Sequence, residues 1–183
     1  YLQQTGIGHP MRNEVIETGN SDWDEVSQYL TGEIPNGKSV WYQKHMAQHN
    51  LPGADLGWTE KLANCFLIRD PMEVILSYSE KYEITSIYQL GYPQQVLLFN
   101  HLKNKNEANV IVLDSKDILQ NPKNLLQLLC RELDIPFSDK MLAWPKGRRE
   151  SDGIWGQHWY GNVEKSTGFQ SYQKKEEGLL TKY

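Results

Sequence analysis

The chain has 183 residues and a mass of 21.2 kDa, 39% of them hydrophobic and 23% charged, which suits one domain around a single sizeable core. A net charge of -4 and a pI near 5.7 leave no broad electropositive surface, so nucleic acid and membrane surfaces are not expected partners and any anion site must be local. Cys65 and Cys130 lie inside apolar runs and read as reduced and structural; without a CxxC pair, an apolar stretch of spanning length or an Asn-x-Ser/Thr sequon, the expected location is cytoplasmic.

The first residues, Tyr1-Leu2-Gln3-Gln4, read as the middle of a helix with no initiating methionine, so an upstream segment is expected. Ser21 is a candidate cap for a helix through Trp23 and Val26 to Leu30, with Asp22, Asp24 and Glu25 placing negative charge in its first turn. The turn signal Pro35-Asn36-Gly37 precedes a strand expected at Ser39 to Lys44. Cys65 to Ile68 and Val110 to Leu113 are compact apolar runs of the kind a parallel sheet buries. Asp70-Pro71-Met72-Glu73 places Asp at the N-cap, Pro at N1 and Glu at N3, a capping-box-like opening for a helix from Val74 to about Tyr82. Pro93 opens another helix, with Val96, Phe99 and Leu102 on one face. Asn121-Pro122 repeats the cap-plus-proline signal before the stripe Leu125, Leu126, Leu129 and Leu133. From Trp144 onward the chain is rich in Gly, Lys, Arg and aromatics without a period, and residues 144 to 183 read as a long functional loop or arm. Repeated strand-then-helix order predicts a single α/β domain over residues 1 to 183 with a mainly parallel central sheet.

Arg69 stands at the carboxyl end of an expected buried strand, where open α/β sheets bind ligands, and the next helix brings unpaired N–H groups to the same edge. Ser77, eight residues later, lies about two helical turns on, within reach of a long Arg side chain. The pair could clamp a phosphate; equally, Arg69 could pair with a surface carboxylate and Ser77 simply tolerate a helix interior. His45 follows Gln43-Lys44 at the end of the first strand signal. It is a candidate general base for a hydroxyl nucleophile, against the blander reading of an ordinary surface histidine. His45 and His49 have i, i+4 spacing, but Met46 stands where a zinc hydrolase motif needs Glu, so no metal is expected. Lys146-Gly147-Arg148-Arg149 is a compact cationic cluster in an acidic protein, with a glycine that admits close backbone approach to an anion. On its own such a loop is more often simply solvated. Gly153-Ile154-Trp155-Gly156-Gln157-His158-Trp159 follows it.

In this order, Lys44-His45-Met46, Arg69-Asp70 with Ser77, and Lys146-Gly147 with the Trp155 segment resemble the sulfotransferases that use 3′-phosphoadenosine 5′-phosphosulfate (PAPS). Asp117-Ile118-Leu119-Gln120-Asn121-Pro122 and Ile135-Pro136-Phe137-Ser138 are similar to the family's intervening run, so the likeness spans roughly residues 39 to 160. Leu51-Pro52-Gly53-Ala54-Asp55-Leu56 leading to Arg69-Asp70-Pro71 resembles a bacterial-type branch of that family. The resemblance implies a three-layer domain like the P-loop nucleotide-binding fold of sulfotransferases. It implies that Arg69 and Ser77 bind the nucleotide 3′-phosphate and that Lys146, Gly147 and Arg148 close over it from the 144–183 arm. His45 would take the proton of a small-molecule acceptor, and adenosine 3′,5′-bisphosphate would be the product, with no metal required. Two features depart from the pattern. No Gly-x-x-x-x-Gly-Lys-Ser/Thr or similar loop for the 5′-phosphosulfate occurs in the chain, so that segment is expected upstream. The lysine usually found two residues before the histidine is Gln43, leaving Lys44 as the candidate leaving-group cation on the neighbouring position, which on a strand points to the opposite face. Two other classes stay open: a non-catalytic nucleotide-binding or interaction domain of the same fold, and a small-molecule kinase of the P-loop class, for which preference for ATP with Mg²⁺ would be diagnostic.

Overall fold

The computed structural model describes residues 1–9, 11–105, 110–149, 152–154 and 156–174. The chain is a mixed helix-and-strand protein with a small parallel sheet, consistent with an α/β class. It divides into two units, Tyr1–Val40 with Pro122–Gln170, and Trp41–Asn121 with Ser171–Tyr183.

In the first unit, α1 (Leu2–Thr5) and α2 (Arg12–Thr18) are tied by Arg12 Nη2 donating to the Leu2 carbonyl at 3.4 Å. The next helix, α3 (Trp23–Leu30), starts one residue later than Ser21 would place it: Asp22 is the cap, accepting from Glu25 N at 2.9 Å. A carboxylate reaches the third amide of the helix and adds a charge where the dipole favours it, which is why Asp22 displaces Ser21.

The strand expected at Ser39 to Lys44 does not form. Pro35–Gly37 is a short 3₁₀ turn with Asn36 and Gly37 both at positive φ, and no strand is formed at residues 39–44. Val40 is 47% and Tyr42 84% exposed, so these β-prone residues meet no packed surface on which a strand would gain anything.

The second unit holds the sheet. Here β1 (Cys65–Ile68) pairs in parallel with β2 (Ile111–Asp114), with Phe66 opposite Val112 and Ile68 opposite Asp114. Between them run α4 (Pro71–Ser79) and α5 (Tyr92–Lys105). Asp70 caps α4 as expected, accepting from Met72 N and Glu73 N at 2.8 and 3.3 Å, with Pro71 at the first position. The other half of the expected capping box is absent, because the Glu73 carboxylate is spent elsewhere. The buried side chains of this unit include Leu56, Phe66, Leu76 and Leu102, with Phe66 edge-on to Phe99 at 5.7 Å. The short α6 (Ser115–Gln120) is capped by Asp114 and closes at Asn121.

Returning to the first unit, α7 (Pro122–Glu132) begins at the expected proline and buries Cys130, whose Sγ lies 3.8 Å from Met141 Sδ. Both cysteines are free thiols, Cys65 exposed and Cys130 buried. The stretch after Trp144, expected as loop, contains α8 (Gly156–Trp159) and α9 (Gly161–Lys165), helices too short to carry an amphipathic period. Trp155, residues 150 and 151, and the end of the 144–183 arm from residue 175 lie outside the described residues. No helix among the described residues is long and apolar enough to cross a membrane.

Candidate functional site

The sequence-predicted residues fall into three clusters. The first is built on the β1-to-α4 junction. The chain leaves β1 at Ile68, and Arg69 and Asp70 make the turn into α4, placing Arg69 at the carboxyl end of a parallel strand and beside the first turn of a capped helix. Arg69 Nε donates to Glu73 Oε2 at 2.9 Å, so the carboxylate alternative raised by the sequence is real, and the partner is one turn along the helix. The two side chains differ in setting: Arg69 is 37% exposed and Glu73 6%. The other carboxylate oxygen, Oε1, accepts from the Tyr172 hydroxyl at 2.5 Å. The Tyr172 bond, then the Arg69 bond and its charge, hold the Glu73 carboxyl below the usual carboxylate range despite burial. By the same bond, the Tyr172 phenol is pushed above its ordinary value.

Arg69 is also fixed through its backbone. The Tyr92 hydroxyl donates to the Arg69 carbonyl at 3.3 Å, and Gln95 Nε2 donates to the Leu67 carbonyl at 3.1 Å, so the first turns of α5 hold the end of β1. Burial raises the Tyr92 phenol, which keeps it a donor. Lys116 places its ammonium 5.6 Å from the Tyr172 ring centroid. Ser77 sits half-buried on α4, two turns beyond Arg69.

The second cluster surrounds His45, on the extended segment that ends at the 3₁₀ turn Ala47–His49. His45 Nε2 pairs with Gln43 Oε1 at 3.1 Å, and the ring stands edge-on to Trp58 at 5.4 Å. An oxygen opposite Nε2 makes that nitrogen the donor and leaves the lone pair on Nδ1. The ring is exposed at its rim, yet the burial it does have lowers its pKa and favours neutral imidazole. Because no helix spans His45 and His49, their i, i+4 spacing does not align them on one face. No cluster of three metal-ligating side chains occurs among the described residues. Lys44 is exposed.

The third cluster is the basic loop. Trp144 anchors it: its backbone N–H bonds the Thr167 carbonyl at 3.1 Å, its indole N–H bonds Ser166 Oγ at 2.9 Å, and its ring meets Phe169 edge-on. Gly147 N donates to the Glu164 carbonyl at 2.8 Å, so the turn is stitched to α9. Gly147 has φ of +112°, which only glycine adopts readily, and its missing Cβ would meet no atom within 4 Å. Lys146, Arg148 and Arg149 are exposed around it.

Sequence reasoning missed Glu73 as a partner of Arg69, although the i, i+4 spacing was available; the residue was spent on a capping box. Tyr172 lies 99 residues from Glu73, and nothing local could signal the contact. Trp58 beside His45 was likewise beyond reach.

The chain is a member of the sulfotransferase domain family, whose pattern matches residues 1–180. Among curated relatives it is 30% identical over 174 residues to branched-chain-amino-acid aminotransferase-like protein 2 of Arabidopsis thaliana, and 30% identical over 177 residues to the like-named protein 1. Each match covers 95% of this chain and 31% of the relative, so the chain spans about a third of their length. No solved structure matches it.

Proposed function

We propose that the protein is a PAPS-dependent sulfotransferase with a P-loop-like three-layer fold, residues 1–183 acting as one domain. The observation that carries the reading is Arg69, presented at the carboxyl end of β1 beside the capped start of α4, with Ser77 two turns on. The residues fit a doubly charged nucleotide phosphate. Among the described residues neither Nη group of Arg69 makes a hydrogen bond. Arg69 and Ser77 bind the 3′-phosphate, and Lys146, Gly147 and Arg148 close over it.

In the reaction the bond from sulfur to the 5′-phosphate oxygen breaks and a bond from sulfur to an acceptor oxygen or nitrogen forms. His45 takes the acceptor proton on Nδ1, while Lys44 offsets charge on the departing oxygen, leaving adenosine 3′,5′-bisphosphate. The acceptor is a small molecule bearing a hydroxyl or amine, and the site of action is the cytoplasm.

A second reading, a binding domain without transfer chemistry, is favoured by Gln43 in the place of the usual lysine and bonded to His45. Calorimetry with adenosine 3′,5′-bisphosphate and a sulfate-transfer assay on alcohols, phenols and amines separate the two. Tight binding with His45-dependent turnover supports the transferase; binding without turnover leaves the second reading. No binding, or unchanged binding in Arg69→Ala, removes both.

A further inference from the structure

An arginine side chain carries five N–H donors in one plane, one on Nε and four on the two Nη atoms. In this protein the Nε donor is committed to Glu73. Ordinary i, i+4 pairs on a helix surface expose both partners and hold neither firmly. Here the acid is interior and the base is not, and both carboxylate oxygens carry a donor: Arg69 on Oε2, Tyr172 on Oε1. A carboxylate bonded on both oxygens and packed in the first turn of a capped helix is a fixed point. A guanidinium hung from such a point by its inner edge keeps its outer edge for a ligand.

We propose that Glu73 and Tyr172 are positioning residues that hold Arg69 by Nε and so preset its two Nη groups to grip a phosphate; this rests on the reading of Arg69 as the 3′-phosphate ligand. Tyr172 makes the arrangement conditional on the C-terminal segment. Its hydroxyl orients Glu73 and Lys116 lies 5.6 Å from its ring, and so Tyr172 takes part in tuning affinity for the nucleotide. The protonation states agree with this: Glu73 is held ionised and Tyr172 protonated across the neutral range. The chemical discrimination that results is for a terminal phosphate on the ribose 3′ position, the group a planar pair of Nη donors meets in bidentate fashion.

The test uses the full-length protein and its Arg69→Ala, Glu73→Gln and Tyr172→Phe variants. Each is titrated with adenosine 3′,5′-bisphosphate and with adenosine 5′-monophosphate, which lacks the 3′ group, after thermal melts confirm folding. The arginine Nε–H region of the ¹⁵N spectrum is recorded in parallel. Glu73→Gln is expected to weaken bisphosphate binding about tenfold and Tyr172→Phe about threefold, both leaving the monophosphate unchanged, with the protected Arg69 Nε–H signal lost in each. Wild-type bisphosphate affinity together with an unaltered Arg69 signal in the two variants overturns the proposal. If Arg69→Ala itself keeps the wild-type preference for the bisphosphate, the donor-site reading fails instead. The phosphate-gripping role then falls with that reading, and the Arg69 signal reports only whether Glu73 and Tyr172 hold the side chain.

Discussion

At the scale of single residues, the chemistry rests on a few bonds whose loss has calculable effects. Arg69→Ala removes the charged donors proposed to hold the 3′-phosphate, and roughly a 10- to 100-fold rise in the dissociation constant for adenosine 3′,5′-bisphosphate is expected, read by calorimetry. Burial lowers the pKa of His45, whose ring stands edge-on to Trp58. Its lowered pKa therefore places the acid limb of kcat/KM below about pH 6.5, and His45→Gln should lower kcat about 10²- to 10⁴-fold and abolish that limb. Glu73 has the opposite linkage to stability. Its folded pKa lies below its unfolded one, so its stabilising effect is full above about pH 4.3 and disappears as the pH falls through the depressed folded value. The gap in urea midpoint between the wild type and Glu73→Gln should accordingly be widest at neutral pH and narrow below pH 4.3, roughly. Of these residues, the positions of Arg69 at a strand end and of Ser77 two helical turns on were legible from spacing, whereas the strand end expected at His45 is absent. Glu73's role was hidden by a competing local use of the same side chain, and Tyr172's by the distance along the chain that separates it from its partner.

At the scale of elements, the Asp70 cap ties the sequence signal to the site most directly. Asp70→Ala leaves the first amides of α4 without an acceptor and should cost about 1 kcal/mol in denaturant unfolding, with added loss of bisphosphate affinity because Arg69 and Glu73 straddle the same turn. Elements with strong punctuation, such as α4 and α7 with their prolines at the first position, and the apolar runs of β1 and β2, stood out in the sequence, although α4 ends at Ser79 rather than near Tyr82. The strand expected before His45 did not survive, since Trp41 and Tyr42 satisfy β-propensity without a neighbouring ladder to join. Short α8 and α9 had no period to find. They matter all the same, because α9 supplies the carbonyl that secures Gly147; Gly147→Ala, forced into positive φ, should loosen that turn and weaken nucleotide binding.

At the scale of the whole molecule, Arg69, Ser77 and His45 belong to one unit and the Lys146–Arg148 turn to the other. If one nucleotide engages both, hydrogen exchange after adding adenosine 3′,5′-bisphosphate should slow at the amides of residues 69–73 and 147–149 together, with the same ligand concentration dependence. Protection confined to 69–73 would assign the basic turn another task. Finally, among the described residues the sheet is a ribbon of two strands with two margins, and the Gln95 amide occupies one acceptor of β1. Leu67, 59% exposed, and Val112, 45% exposed, lie on that ribbon. Such margins recruit like neighbours, so concentrated solutions should self-associate through them, and Leu67→Lys is the change to make first when crystals or long spectra are wanted.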